Sequence, residues 1–146
     1  MSLLSNLTIV ILVLASVAAC SGRESDSTAG LDNEAPLEVS AELPDSFPDR
    51  FPFPEDFAIR EALFTPGSAT TQANFFVRGS SSMNLEDLGD FYSTRLPESG
   101  FRIIQQQINA GNGLFYFEDD DFRDCTVQLN GGAEETQLLV SLPLRD

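Results

Sequence analysis

The chain contains no histidine, no lysine and no tryptophan, and its only cysteines are Cys20 and Cys125. Without an imidazole there is no histidine-based nucleophilic triad, no ordinary catalytic zinc site and no haem ligation through histidine. Two cysteines far apart in the sequence cannot build a thiolate cluster. No glycine motif precedes a helix in the manner of a phosphate cradle, because Gly111-Asn112-Gly113 and Gly131-Gly132 fall between strand patterns. Positive charge is scarce as well. Eight basic residues, all arginine, face 23 acidic ones, for a net charge of −15. Nucleic acid and anionic lipid headgroups need a basic footprint, so neither is an expected partner. Nor is there an apolar run long enough to cross a bilayer. Leu7 to Ala19 has only Thr8 and Ser16 as polar members, but it is about 13 residues long where a spanning helix needs about 20.

That run has the length of a signal-peptide apolar core, and it closes in small residues that a peptidase cleft can admit. The segment before it, Met1 to Asn6, carries no Lys or Arg. Val17-Ala18-Ala19-Cys20 resembles the lipobox of bacterial lipoproteins: an aliphatic residue, a small residue, Ala or Gly, then Cys. The resemblance implies a signal peptide over residues 1–19, cleavage before Cys20, a thioether-linked diacylglycerol on Cys20 and acylation of the new amino group. Two or three acyl chains at roughly 0.8 kcal/mol per buried methylene make a stable anchor, where one chain does not. Ser21, a residue other than Asp after the cysteine, implies by the same resemblance the outer membrane, with the domain facing the periplasm from the inner leaflet. With Cys20 acylated, Cys125 has no intramolecular partner and is expected as a small buried strand residue.

Residues 20–45 are rich in Ser, Asp, Glu, Ala and Pro and poor in large apolar side chains. Such a composition cannot offset its ordering entropy and predicts a disordered acidic tether, spanning on average about 25–30 Å as a flexible coil. Residues 46–146 then form a single domain led by a Phe/Pro-rich arm. Phe47-Pro48 to Phe53-Pro54 alternates phenylalanine with proline, which favours polyproline II, and an arm that straps across the domain to bury Phe51 and Phe53.

Alternating apolar positions predict strands over 59–65 and 71–77, the second ending at Arg78-Gly79. Asn84 as N-cap, Asp87 at the third helical position and the staple pair Met83 and Leu88 mark a helix start. Leu85, Leu88, Phe91, Tyr92 and Leu96 recur at three and four, and Leu88 and Phe91 are expected at the centre of the buried stripe. Pro97 is expected to end the helix and Gly100 to turn the chain out of it. Four more strands follow at 101–108, 114–117, 123–129 and 136–142. The expected fold is α+β, an antiparallel sheet in the order β-β-α-β-β-β-β with one helix packed on one face. Phe47-Pro48 through Phe53-Pro54, Leu88-Gly89-Asp90-Phe91-Tyr92, Leu96-Pro97 and Gly100-Phe101 are similar to a pattern of small bacterial lipoproteins and secreted proteins, which implies this fold and no catalytic residues.

Cys20, for lipidation, is the one site residue assigned; no catalytic, metal-binding or cofactor-binding residue is, and no cofactor is expected. The expected function is that of a non-catalytic binding or structural module held in the cell envelope by lipid, with the membrane and another envelope protein as partners. Two alternatives remain open at this point. One is a small-ligand carrier with a cleft between helix and sheet lined by Phe91, Tyr92, Phe101, Phe115 and Phe117. The other is a calcium-dependent module using the acidic turn Glu118 to Asp121, since hard cations prefer oxygen ligands. Arg123 stands where an EF-hand would place a ligand, so the turn is read as solvated.

Overall fold

The computed structural model describes residues 40–145. The expected signal peptide over residues 1–19, Cys20 and the expected tether as far as residue 39 lie outside the described residues. The elements are β1 (Ala58–Thr65), β2 (Asn74–Ser81), α1 (Leu85–Glu98), β3 (Arg102–Ile108), β4 (Asn112–Glu118), β5 (Cys125–Gly131) and β6 (Thr136–Pro143). They build one helix and one six-stranded sheet, broadly α+β, in which every neighbouring pair is antiparallel.

The spatial order is β1-β2-β6-β5-β4-β3, which differs from the order along the chain. The last strand enters the middle of the sheet. Thr136, Leu138, Val140 and Leu142 of β6 are buried on one face, and Leu139 and Ser141 are half-buried on the other. Burial alternates along β6 as expected for an antiparallel strand with one packed face, and Leu139 is the apolar residue on the other face. β3, with Gln105-Gln106-Gln107, can bury little and lies at an edge. Because β2 and β3 are parallel with three strands between them, α1 must cross the sheet between them.

The helix begins as the sequence reading expects. Asn84 Oδ1 accepts from Asp87 N at 2.9 Å, and its amide donates to the Asp87 carboxylate at 2.7 Å. At the other end the expectation for Pro97 is corrected. It sits inside the helix, which runs on to Glu98. Proline lacks one N–H, so in the last turn a single hydrogen bond is lost without breaking the helix. The exit is a Schellman motif, with Phe101 N donating to Leu96 O and Gly100 N to Pro97 O, both at 3.0 Å. Gly100 supplies the left-handed residue at φ 88°. The buried positions of α1 are Leu88, Gly89, Tyr92 and Leu96; Phe91 is only half-buried, against expectation. The stripe is rotated toward Tyr92 because α1 lies over β3, β4 and β5, on one half of the sheet.

A helix about 10 Å wide cannot cover six strands spaced about 4.8 Å apart. The arm covers the remainder. Phe47 and Phe51 are buried, and Phe53 is half-buried. The Phe47 ring meets Phe75 of β2 at 5.5 Å, and Phe51 lies between Phe101 at 5.9 Å, Phe117 at 6.1 Å and Tyr92 at 6.4 Å. The arm is not polyproline II throughout. Three turns repeat the pattern Pro-acid-x-Phe, with Phe47 N donating to Pro44 O, Phe51 N to Pro48 O and Phe57 N to Pro54 O at 2.8–3.0 Å. Each turn reverses the chain and aims its phenylalanine at the sheet. The contact starts earlier still, at Ser40, which exchanges two backbone hydrogen bonds with Ala62 of β1. Gly79 belongs to the same assembly. β2 runs past it to Ser81, and a Cβ there would lie 2.4 Å from Ala58 O and 2.5 Å from the Phe57 ring.

Tyr92 is fully buried among these rings, and its hydroxyl has no hydrogen-bond partner. An unpaired buried hydroxyl costs about 1–3 kcal/mol. Tyr92→Phe is therefore expected to raise the unfolding free energy in urea by about 1 kcal/mol, whereas Tyr92→Ala removes the same ring outright and should cost about 3–5 kcal/mol. Phe91→Ala should cost clearly less than Tyr92→Ala in the same experiment.

Candidate functional site

The acidic turn Glu118 to Asp121 is the densest group of potential ligands among the described residues, and it is not simply solvated. It joins β4 to β5 at the end of the sheet where the arm also arrives. Asp119 Oδ1 accepts from the backbone N–H groups of Asp121 at 2.8 Å and Phe122 at 2.7 Å, which shapes the turn. Its other oxygen faces Arg50 of the arm, 2.5 Å from Nη2, as an ion pair rather than an aligned hydrogen bond. The Asp119 side chain is 4 % exposed, and the same Arg50 nitrogen donates to Asp121 Oδ2 at 2.9 Å. Arg50 also lies over the Phe101 ring at 4.9 Å.

Two further arginines close the group. Glu118 pairs with Arg102 of β3 and, at 3.6 Å, with Arg145 near the C-terminus. Arg145 also donates from its backbone N–H to Asp121 O at 2.8 Å and from its guanidinium to Asp119 O at 2.9 Å. The carboxylates a cation would need are thus held by the chain's own guanidinium groups. Among the described residues no three Cys, Asp or Glu side chains converge as a ligand set. The chemistry of this site is that of a latch, pinning the arm, the last strand and the β4–β5 turn together.

A second carboxylate works the same way on a smaller scale. Asp56 accepts from Ser81 Oγ at 2.7 Å, Ser82 Oγ at 2.5 Å and Ser82 N at 2.7 Å. The Ser82 and Ser81 hydroxyls, then the Ser82 N–H, hold its carboxyl below the usual range. This ties the third Pro-acid-x-Phe turn to the start of α1. Sequence reasoning missed both latches, although the thrice-repeated turn motif and the Ser80-Ser81-Ser82 run were there to be read.

The aromatic residues named as a cleft lining fill space against one another. Tyr92, Phe101, Phe115 and Phe117 are buried, with ring centroids 6.0 Å apart for Tyr92 and Phe115 and 5.3 Å for Phe101 and Phe117. Cys125 is buried and unpaired beneath the latch. Burial first, then the charges of Asp119 and Asp124, push its thiol up to about 12.

What is left open are sheet edges and one sheet face. β1 is bridged by Ser40, but nothing among the described residues pairs with the outer side of β3. Both edge strands carry a bulge, at Ile59/Glu61 and at Ile103/Gln105. Ile104, the extra residue of the second, is 58 % exposed. A scan against protein-family models finds no match for the chain, and neither does a search of curated proteins or of solved structures.

The thiol and the latch give separate tests. Because the Cys125 thiol is raised in the fold from its ordinary value near 9, the unfolded chain ionises first as pH climbs. The contribution is fully present below pH 9, and stability falls from there toward pH 12; urea titrations should show that fall reduced in Cys125→Ala. Native protein at pH 8 should resist iodoacetamide until it unfolds. Arg50→Met keeps the side-chain length but leaves Asp119 without its counter-ion. It is expected to lower the unfolding free energy by about 1–2 kcal/mol and to raise proteolysis of the arm near residues 45–50.

Proposed function

We propose that the chain is a lipid-anchored, non-catalytic envelope module that engages another envelope protein by strand addition along β3. The observation that carries this reading is the contrast between its closed groups and its open edge. Glu118, Asp119 and Asp121 are paired with Arg50, Arg102 and Arg145, and the Cys125 thiol is sealed in the core. The backbone of β3 from Gln105 to Ile108, beyond the bulge, offers its outer groups to any strand that approaches. Edge strands are blunted against pairing by charge, proline or a bulge; β3 has its bulge at Ile103/Gln105 and beyond it carries only glutamine and isoleucine. Main-chain hydrogen bonds then give affinity, and the neighbouring side chains give selectivity.

The anchor rests on Val17-Ala18-Ala19-Cys20, which would hold the domain at the periplasmic surface of the outer membrane. Two experiments test the two halves. Cys20→Ser should abolish fatty-acyl labelling and leave a slower-migrating precursor; unchanged labelling refutes the anchor. Mild crosslinking in intact cells should recover a defined partner with the wild-type chain and lose it with Gln105→Lys combined with Gln107→Lys, exposed changes that spare the fold. Recovery that ignores these two substitutions refutes the edge.

A further inference from the structure

The face of the sheet opposite α1 and the arm is covered by none of the described residues. The strand registers place Leu63, Phe76, Ser141, Thr126, Tyr116 and Gln105 in one row across it. Arg78, Leu139, Gln128 and Leu114 stand in the next. Tyr116 is 41 % exposed, and beside it Ile104, Leu114 and Gln105 line a depression of about 490 Å³.

The charge on this face is unlike that of the rest of the molecule. The protein carries −15, yet the charged residues that the register puts here are Glu61 with Arg78 and Glu118 with Arg102. Each is an ion pair, at 2.5 Å for the first. The two pairs occupy opposite corners, and Asp124, which lines the depression beside Glu118, pairs with Arg123 at 3.7 Å. The acids here are thus matched by arginines at the rim, and the centre, where Thr126, Gln128, Leu139 and Ser141 meet, is uncharged.

We propose that this face is a self-association surface on which two copies of the chain stack sheet against sheet. Two chains of −15 repel wherever acid meets acid, and the uncharged centre of this face lets them meet without opposing like charges there. The area is sufficient. Six strands at about 4.8 Å and seven residues at about 3.4 Å give roughly 600 Å² per copy, hence about 1,200 Å² for the pair, the lower bound for a stable interface. The mixture of amide, hydroxyl and aliphatic groups fits a reversible dimer rather than an obligate one. Gln105 and Gln107 border both this face and the β3 edge, but Gln128 lies on β5, away from that edge, so substitutions at Gln128 separate stacking from strand addition.

Sedimentation equilibrium of the full chain in density-matched mild detergent tests it. The expected result is a monomer–dimer equilibrium that tightens about tenfold or more between 0.01 and 0.15 M salt, as the Debye length falls from about 30 to 8 Å. Gln128→Glu and Gln128→Arg, each exposed in the single copy, should each weaken the dimer about tenfold or more, because the charge would be buried unpaired. Mixing the two variants should restore association. Thr94→Glu adds the same charge to the exposed side of α1 and should leave the constant within about twofold of its value. A chain that stays monomeric at millimolar concentration overturns the proposal. So does a dimer indifferent to Gln128, or one that Thr94→Glu weakens equally; circular dichroism of each variant excludes misfolding as the cause.

Discussion

The width of one helix decides how the rest of this domain is built. A sheet of six strands spans roughly 24 Å, and a helix covers about 10 Å of it. With only α1 available, the β1–β2–β6 half of the core would stand open to water. The arm resolves this with three successive Pro-acid-x-Phe turns, which deliver Phe47, Phe51 and Phe57 to the sheet without a second helix. Phenylalanine suits the task, since one ring buries much area for few ordered backbone residues. Beyond the Ser40–Ala62 backbone pair, an arm held only by rings would have no fixed register on the sheet. Arg50 on Asp119 and Asp56 on Ser81 and Ser82 hold it at two places. The latches therefore follow from the same deficit as the arm.

Much of this was legible in the sequence, and what was not has identifiable physical causes. The element order, the Asn84 cap, the Gly100 exit and the inward set Cys125, Val127, Leu129, Leu138, Val140 and Leu142 are local features, written in residue type and period. The spatial order of strands is not local. Short links between β3, β4, β5 and β6 fix that run as a meander, but nothing in them says that β6 will dock on β2. Phe91 was misplaced for a related reason. A stripe of five apolar residues is wider than the contact it makes, and tertiary packing chose Tyr92 as its centre. Pro97 was read by the rule for helix interiors, whereas the last turn has little left to break.

The acidic turn shows the limit of counting charges along the chain. Four consecutive acids look solvated when their partners lie far away in sequence. Arg50, Arg102 and Arg145 come from the arm, from β3 and from the chain end, and only the fold brings them to one place. Of the eight arginines in the whole chain, three are spent on this turn, which leaves few to offset acids elsewhere. The excess negative charge therefore concentrates on the helix, the loops and the segment before Ser40.

That distribution bears on how such a body could reside at a membrane. An anionic surface repels this acidic chain, −15 in all, over about a Debye length, near 8 Å at physiological salt. Adsorption through the folded part is therefore unfavourable, and retention requires something outside it, which is the role proposed for the acyl chains at Cys20. The same repulsion orients the body. Its neutral sheet face is repelled least, so it is the surface that can approach another molecule in a crowded, anionic setting. An acidic exterior with one neutral face thus narrows the directions of encounter before any specific contact forms.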